Sequence, residues 1–308
     1  MITNFTAADV GDQSGKTMFI TGANSGIGFA AASVFAANGA RVLLGCRNTT
    51  KGNDAVAQIR ADHPDADVDL VGLDLADLAK VFQAVEVVAG ESHLDVLVNN
   101  AGIMWTSRTP TVDGFEGQFG VNHLGHFALT ALLLPKLEAT QNSRIVTVSS
   151  TGHKMGDQDL PWDDLDGAAS YNPQKRYFAS KLANLWFTYE LDRRLRAKGS
   201  STIAVAVHPG ASATELGDHL DGSLGFMWKV FKSLSGRFIN TAEMGAWPTE
   251  LAATAPGVEG GQYFGPSKLG EMKGPAQQVE SSTVSKDAAK AKRLWDLSIE
   301  MTGVDPGI

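Results

Sequence analysis

Short apolar runs alternate with longer segments of helical periodicity along the first 207 residues of the chain. The apolar runs have the length and composition of buried parallel strands, at Thr17–Ile20, Arg41–Leu44, Val68–Leu73, Val96–Val98, Arg144–Val148 and Thr202–Val207. The helical segments are Ile27–Ala37, Asn53–Ala61, Leu78–Ala89, Glu116–Glu138 and Pro173–Lys198. Strand followed by helix, repeated without a break, is typical of a parallel sheet covered on both faces. Because such crossovers are right-handed, the pattern predicts a doubly wound α/β sheet of the Rossmann type.

Two regions depart from this alternation, and both are predicted to lie within one domain spanning residues 1–308. Gly152–Asn172 is rich in Gly, Asp and Pro and is predicted to form a long loop. Ala211–Asn240 mixes glycines with bulky apolar residues, which favours a lid over a substrate; an amphipathic helix lying on a membrane is the alternative. Beyond it we predict a helix that is N-capped by Asn240 and a last helix near Lys286–Thr302.

Composition and charge exclude several classes of protein. The formal net charge of −8 argues against a protein that binds nucleic-acid backbones, which needs a basic face. Cys46 is the one cysteine of the sequence, so there is no intrachain disulfide framework, and a reducing compartment is favoured. The N-terminal residues lack the apolar run of a signal peptide, and the densest apolar stretch, around Phe127 to Leu134, is too short to cross a bilayer. We therefore expect a soluble cytoplasmic protein without a transmembrane segment.

The first predicted strand runs into a glycine-rich turn that opens the first helix. Gly22, Gly26 and Gly28 allow a sharp turn and a close approach of the backbone to a pyrophosphate. The helix that follows presents free N–H groups and the positive end of its dipole to that charge. We expect the cofactor to contact the glycines and the residues between them, Asn24, Ser25 and Ile27.

The ends of the next strands extend this predicted dinucleotide site. The second strand ends at Arg47, where an NAD-binding protein usually carries a carboxylate for the ribose 2′-hydroxyl. A guanidinium suits a 2′-phosphate, so the cofactor is predicted to be NADP(H). Asp74 and Leu75 follow the third strand, and Asn99, Ala101 and Gly102 follow the fourth, at the carboxyl edge where doubly wound sheets bind ligands.

A tyrosine and a lysine, Tyr177 and Lys181, stand one turn apart on the helix after the fifth strand. A nearby ammonium and a positive nicotinamide ring should lower the phenol pKa from its usual value near 10, bringing it closer to working pH. Ser150, at the end of the fifth strand, can donate a hydrogen bond to a substrate oxygen on which charge develops. These residues predict proton transfer to or from a substrate oxygen.

Taken together, these motifs resemble the short-chain dehydrogenase/reductase family over nearly the whole chain, most closely the retinol-dehydrogenase-like and protochlorophyllide-reductase-like branch. The resemblance also rests on Val121–Phe127 and on His208-Pro-Gly210. It implies an oxidoreductase of small carbonyl or alcohol substrates with a catalytic tetrad of Asn122, Ser150, Tyr177 and Lys181. The bulky apolar residues of the predicted lid favour an apolar substrate. It further implies that Lys181 holds the nicotinamide ribose, that Asn122 supports a water in a proton relay, and that Pro209, Gly210 and Thr214 hold the nicotinamide end.

The chain departs from the commonest family pattern in one respect, because Ser150 and Tyr177 are 27 positions apart. Gly152–Asn172 resembles an insertion of the retinol-type branch that can bulge outward without moving either side chain. The choice of Ser150 over Ser149 follows the family pattern alone. The resemblance leaves a homo-oligomer open.

Two other functions agree less well with the sequence. Epimerisation or dehydration of a nucleotide sugar usually requires a larger C-terminal domain than the 100 residues after His208. A sensor that binds NADP(H) without turnover tends to lose the tyrosine or the lysine, and this chain keeps both. His123 and His126 are three residues apart on a helix, but no third ligand is evident, so no metal is expected.

Overall fold

The computed structural model describes residues 2–211 and 240–308, and this part of the chain is built around one eight-stranded sheet. The strands are β1 (Thr17–Thr21), β2 (Arg41–Cys46), β3 (Val68–Gly72), β4 (Val96–Asn99), β5 (Arg144–Val148), β6 (Ile203–Val207), β7 (Tyr263–Lys268) and β8 (Lys273–Gln278). Their order across the sheet is β3-β2-β1-β4-β5-β6-β7-β8, with β8 antiparallel to β7 and every other pair parallel. The predicted doubly wound α/β sheet is confirmed.

Helices cover both faces of this sheet. They are α1 (Gly26–Ala37), α2 (Thr49–Asp62), α3 (Leu78–Ala89), α4 (Gly125–Ala139), α5 (Pro173–Lys198), α6 (Ala242–Thr254) and α7 (Ala288–Thr302). One core joins α1, α2 and α6 to the sheet through residues such as Phe35, Val56 and Leu251. The other joins α3, α4 and α5, and Trp295 of α7 packs there against Phe127 and Phe187. Among the described residues, none of the helices has the length and apolar character needed to span a bilayer.

The strand order reverses between β1 and β4, which are direct neighbours in the sheet. From β1 the chain winds outward to β2 and β3, and from β4 it winds in the opposite direction. The loops leaving the carboxyl ends of β1 and β4 therefore diverge and leave a crevice, where doubly wound sheets bind their ligands. The glycine-rich turn and residues 100–103 both lie at this crevice.

The strands β7 and β8 were missed by the sequence analysis. Both contain glycine and proline, including Gly265, Pro266 and Gly274, which have low strand propensity. Gly265 is required because a Cβ there would overlap the imidazole of His208. The outer strand β8 is paired with Phe5, whose backbone exchanges two hydrogen bonds with Ala276. The N-terminal segment thus protects an edge strand that tolerates these residues.

Two helix predictions were wrong in detail. The segment Glu116–Glu138 is not one α-helix, because a helical turn at Gly117–Phe119 leads into a π-helical turn at Gly120–Leu124 before α4 begins. The N-cap of α6 is Thr241, whose hydroxyl accepts from the backbone N–H of Met244. Asn240 instead donates from Nδ2 to the carbonyl of Pro209 at 3.0 Å, which ties the end of β6 to the start of α6.

The predicted lid, residues 211–240, lies almost entirely outside the described part of the chain, as does Thr214. The described ends of this segment are held close together. Ala211 donates its N–H to the carbonyl of Met272 at 3.0 Å, and Asn240 donates its own to Ala211 at 2.7 Å. The single-domain arrangement and the lid both stay predictions.

Candidate active site

The glycine-rich turn joins β1 to α1 in the geometry that the sequence predicted. Gly22 and Gly26 have φ of +67° and +58°, a region that favours glycine. A Cβ at Gly28 would lie 2.5 Å from both the carbonyl oxygen of Gly22 and Nδ2 of Asn100, so the turn and the helix can meet only without a side chain. Ser25 N-caps α1 without a side-chain hydrogen bond, which leaves the first N–H groups of the helix available. This cradle fits a dinucleotide pyrophosphate.

The region around the end of β2 is basic. Arg47 follows β2 and is exposed. Lys51, on the first turn of α2, lines a surface cavity together with Asn24, Ser25 and Asp54. Arg47 and Lys51 thus lie on the same side of the crevice as the glycine-rich turn, where the ribose of a dinucleotide bound to this turn would lie.

The residues after β3 and β4 occupy different depths in the crevice. Asp74 is half-buried, and its carboxylate accepts from the N–H of Ala76 at 3.0 Å, while Leu75 is buried. The amide of Asn99 faces α4, where Nδ2 donates to Thr130 at 2.9 Å. Only the backbone of Asn99 is thus placed toward the crevice. Asn100, which the sequence analysis passed over, donates instead to the carbonyl of Thr21 at 2.8 Å.

The structure brings Ser150, Tyr177 and Lys181 together at the carboxyl end of β5. Tyr177 is 6% exposed, and its phenol lies close enough to the Ser150 hydroxyl for that hydroxyl to lower the phenol pKa. The Lys181 ammonium lies 5.9 Å from the centre of the Tyr177 ring and donates to the carbonyl of Val148 at 3.1 Å. Ser149 points elsewhere, since its hydroxyl donates to the backbone carbonyl of Lys181 at 2.8 Å. The geometry therefore separates the two serines that the local sequence left equivalent.

Burial dominates the protonation of this pair. It raises the pKa of Tyr177 to about 12, although the nearby Ser150 hydroxyl acts in the opposite direction. Burial also lowers the pKa of Lys181 to about 8. The prediction that the pKa of Tyr177 is lowered is therefore wrong for the protein without a nicotinamide cofactor. At neutral pH the phenol is protonated and the amine is mostly charged.

Asn122 lies in the π-helical turn and joins three parts of the site. Its side chain accepts from the N–H of Ile103 at 2.8 Å and donates to the carbonyl of the same residue at 2.9 Å. It also donates to the hydroxyl of Ser180 at 3.0 Å, next to Lys181. A Cβ at Gly102 would lie 3.1 Å from Oδ1 of Asn122 and 3.4 Å from Nζ of Lys181. The loop after β4 is thereby fixed against α5.

The segment after β6 completes the edge of the crevice. Gly210 has φ of +71°, and a Cβ there would lie 2.5 Å from the carbonyl oxygen of Met272. The carbonyl of Pro209 accepts the bond from Asn240, so the turn between β7 and β8 and the start of α6 together hold Pro209 and Gly210. No sequence motif indicated these partners, because β7 and β8 were not predicted.

The inserted segment Gly152–Asn172 packs against the start of α5. Ion pairs of its acidic side chains hold it there. Asp164 pairs with the buried Arg176 at 2.7 Å, and Asp159 pairs with Lys290 at 2.6 Å. Tyr171 donates to the backbone carbonyl of Thr106 at 3.0 Å, linking the insertion to the loop after β4. The insertion therefore leaves Ser150 and Tyr177 in contact.

Comparisons with known proteins agree with this geometry. Residues 16–162 match the family model for short chain dehydrogenases. Retinol dehydrogenase 14 from Homo sapiens is 42% identical over 312 residues, covering 96% of this chain and 89% of the relative. A crystal structure of an uncharacterized protein from Mycobacterium Paratuberculosis has 40% identity and a TM-score of 0.79, covering 99% of this chain and 100% of the other. A short chain dehydrogenase from Burkholderia cenocepacia J2315 in complex with NADP has 25% identity and a TM-score of 0.63, covering 81% of this chain and 95% of that one.

The chain belongs to the short-chain dehydrogenase family, in its retinol-dehydrogenase-like branch. It is an NAD(P)-dependent oxidoreductase that acts on alcohol or carbonyl groups.

Proposed function

We propose that this chain transfers a hydride between NADP(H) and an apolar alcohol or carbonyl compound, with Tyr177 as the general acid and base. The observation that carries the proposal is the contact of Tyr177 with Ser150, beside the Lys181 ammonium, at the carboxyl end of β5. That position adjoins the crevice between the loops after β1 and β4, where the glycine cradle fits a dinucleotide.

The same proposal gives binding roles to several residues. The N–H groups at the start of α1, with Gly22, Asn24, Ser25, Gly26, Ile27 and Gly28, would hold the pyrophosphate. Asp74 and Leu75 would border the adenine, while Ala101, Gly102 and the backbone of Asn99 would border the adjacent ribose. Pro209 and Gly210, together with Thr214 outside the described residues, would hold the nicotinamide end. When bound, NADP(H) supplies or accepts the hydride at its nicotinamide ring.

The catalytic group is arranged to protonate a substrate oxygen during carbonyl reduction. Ser150 and Tyr177 can both donate to that oxygen, and Tyr177 then gives up its proton as negative charge develops. The raised pKa keeps Tyr177 in the donor form at neutral pH. The Lys181 ammonium, whose pKa of about 8 leaves it mostly charged at pH 7, favours the resulting phenolate. In alcohol oxidation the same groups act in reverse.

Replacing Arg47 with aspartate is expected to raise the KM for NADPH about tenfold to a hundredfold while changing the KM for NADH little. The expectation follows because a charge-assisted hydrogen bond to a 2′-phosphate contributes about 1.5–3 kcal/mol, and NADH has no such phosphate. Steady-state kinetics with both cofactors measure the effect. Lys292→Asp makes the same change of charge on the exposed surface of α7 and serves as the control. Equal effects of Arg47→Asp on both cofactors would exclude Arg47 from the 2′-phosphate site.

The proposed apolar substrate is supported by the surface beside the crevice. Met155, Leu269 and Met272 are exposed by 56%, 61% and 39%. The two chain segments that carry them lie side by side, because Lys154 pairs with Glu271 at 3.0 Å. The matching relatives named retinol dehydrogenases point to the same class of substrate.

A substrate panel tests this proposal directly. With NADPH, we expect reduction of long-chain aldehydes and of retinal with a kcat/KM at least tenfold above that for charged keto-sugars, since each buried CH₂ contributes about 0.8 kcal/mol. Cofactor oxidation followed at 340 nm provides the measurement. Turnover of the charged sugars alone would contradict the apolar assignment, and turnover with NADH alone would contradict the cofactor assignment.

A further inference from the structure

A buried chain of hydrogen bonds connects the start of the glycine-rich turn to the π-helical turn. The ring of His126, which is 1% exposed, lies between them. Its Nε2 is 2.9 Å from the hydroxyl of Thr21, and its Nδ1 is 3.1 Å from the backbone carbonyl of Asn122. The first contact joins residues 105 positions apart in the chain.

The donors and acceptors in this series of hydrogen bonds define one tautomer of the His126 imidazole. The Thr21 hydroxyl oxygen accepts from the N–H groups of Asn100 and Ala101, both at 2.9 Å, so it has its own proton left to donate. That proton goes to Nε2 of His126 at 2.9 Å, because the carbonyl of Val98 is farther away at 3.4 Å. The carbonyl of Asn122 can only accept, so Nδ1 carries the hydrogen. His126 is therefore a neutral Nδ1–H imidazole.

The surroundings of the ring favour this neutral form. Burial lowers the pKa of His126 to about 4, and the charge of Lys181 acts in the same direction. The hydrogen bond to the Asn122 carbonyl opposes both but does not outweigh them. The imidazole thus keeps one donor and one acceptor at physiological pH, which a charged ring with two donors would not.

The two ends of the chain of bonds lie in different halves of the proposed site. Thr21 precedes the glycine cradle and orders the backbone of Asn100 and Ala101 after β4. Asn122 lies in a π-helical turn, a wide and less regular structure that is frequently found at functional sites. The side chain of Asn122 is bonded to Ile103 and Ser180. Its backbone carbonyl accepts separately, from Nδ1 of His126.

We propose that His126 is a positioning residue that fixes the Asn122 carbonyl relative to the Thr21 end of the cofactor cradle. The proposal rests on the function proposed above, since it gives the coupling a role in hydride transfer. His126 touches neither cofactor nor substrate; it acts through Thr21 and Asn122. Its Nδ1–H donates to the Asn122 carbonyl in the catalytic half of the site, and its Nε2 accepts from Thr21 in the cofactor half.

His123, three positions before His126 in the same continuous helical segment, provides a matched control. It is equally buried, at 1% exposure, and burial lowers its pKa to about 3. Its Nε2 is 2.9 Å from the hydroxyl of Ser298 on α7, away from the crevice. Substitutions of His123 therefore report the cost of losing a buried imidazole without affecting the link between Thr21 and Asn122.

Two substitutions separate the two halves of the role. In His126→Asn, the amide nitrogen lies near the former Nδ1 and keeps a donor for the Asn122 carbonyl. In His126→Gln, the amide oxygen lies near the former Nε2 and keeps an acceptor for Thr21. We expect the larger loss in His126→Asn to be in NADPH affinity, about fivefold or more, and the larger loss in His126→Gln to be in kcat, about tenfold or more. Such losses agree with the effect of a small misplacement of a reacting group.

The measurements are the dissociation constant for NADPH from fluorescence titration, kcat for reduction, and the melting temperature. An equal loss of NADPH affinity and of kcat in both His126 variants would overturn the proposal. So would a loss mainly of NADPH affinity in His123→Asn together with a loss mainly of kcat in His123→Gln. If the His126 variants do not fold, Thr21→Val and Thr21→Ser test the other end of the link. Retention of NADPH affinity by Thr21→Ser, and its loss in Thr21→Val, is the supporting result; equal affinities would overturn it.

A spectroscopic measurement on the protein without cofactor does not depend on turnover. With ¹⁵N-labelled histidine, the NMR signals of His126, assigned by their absence in His126→Asn, should show protonated Nδ1 and unprotonated Nε2 from pH 6 to pH 8. The opposite tautomer, or titration within this range, would overturn the proposal. If the wild type turned over no carbonyl substrate, the proposed function would fail, while the tautomer and the NADPH affinities would still decide the role of His126.

Discussion

Replacing Tyr177 with phenylalanine is expected to lower kcat for carbonyl reduction by about a thousandfold while leaving the dissociation constant for NADPH within about threefold of the wild type. The size follows from the usual contribution of a positioned general acid, about 10²–10⁴ in rate. The ring of Tyr177 is buried and packs as phenylalanine would, so the loss is confined to the hydroxyl that contacts Ser150. Single-turnover reduction and fluorescence titration with NADPH measure the two quantities.

Tyr189→Phe provides the control for this experiment. Tyr189 lies on the same helix α5, and its hydroxyl donates to Ser281 at 2.8 Å, away from the crevice. Its substitution removes one buried hydroxyl and is expected to lower stability without a specific loss of kcat. Full activity of Tyr177→Phe would remove Tyr177 from proton transfer. A wild-type chain that binds NADPH and reduces no carbonyl would favour the sensor function over the enzyme.

The parts of the fold that were predictable from sequence are those specified by local periodicity. The strands β1 to β6 lie within predominantly apolar runs. The helices α3 and α5 begin and end at the predicted residues, and Asp77 and Asn172 accept N–H groups of their first turns. The strands β7 and β8 lack such a pattern. They depend on contacts between distant residues, above all the packing of Gly265 on His208, which no local rule reveals.

The candidate site divides in the same way. The glycines, Tyr177 and Lys181 were found because their spacing within one turn or one helix is itself the signal. The distinction between Ser149 and Ser150, the inward orientation of Asn99 and the bonds of His126 arise from tertiary contacts. In the sequence, His126 belongs to the Val121–Phe127 motif, but its bond to Thr21 was not predictable because Thr21 is far away in the chain. In the described residues, no group of three His, Cys, Asp or Glu side chains could hold a metal ion.

The second large effect is expected from Glu250, a fully buried glutamate on α6. Its two carboxylate oxygens have no hydrogen-bond partner among the described residues, and burial raises its pKa to about 8. Between its unfolded pKa near 4.5 and its folded pKa near 8, the folded protein binds one more proton at this site than the unfolded chain. The contribution of this site to the free energy of unfolding therefore falls as pH rises through this range. Glu250→Gln removes the titration and should remove this decrease.

Comparison of the wild type with Glu250→Gln isolates this contribution between pH 6.5 and 8. The buried histidines His123, His126 and His153 have pKa values of about 3, 4 and 4, and burial also lowers the pKa of His208, so the stability gained as the unfolded histidines lose their protons is the same in both proteins. Lys181, with a pKa of about 8, also begins to titrate in this range, and its contribution is likewise shared. From pH 6.5 to pH 8, urea denaturation should show that the free energy of unfolding of the wild type falls by about 1.5 kcal/mol relative to that of Glu250→Gln.

The control for Glu250→Gln is Glu243→Gln, on the first turn of the same helix. A hydrogen bond with Thr241 lowers the pKa of Glu243, so its titration is complete well below pH 6.5 and its substitution should leave the wild-type slope unchanged. A difference in stability between the wild type and Glu250→Gln that stays constant from pH 6.5 to 8 would show that Glu250 is already ionised in the folded state. That outcome would require water or a polar partner at the carboxylate, because an isolated buried charge costs several kcal/mol.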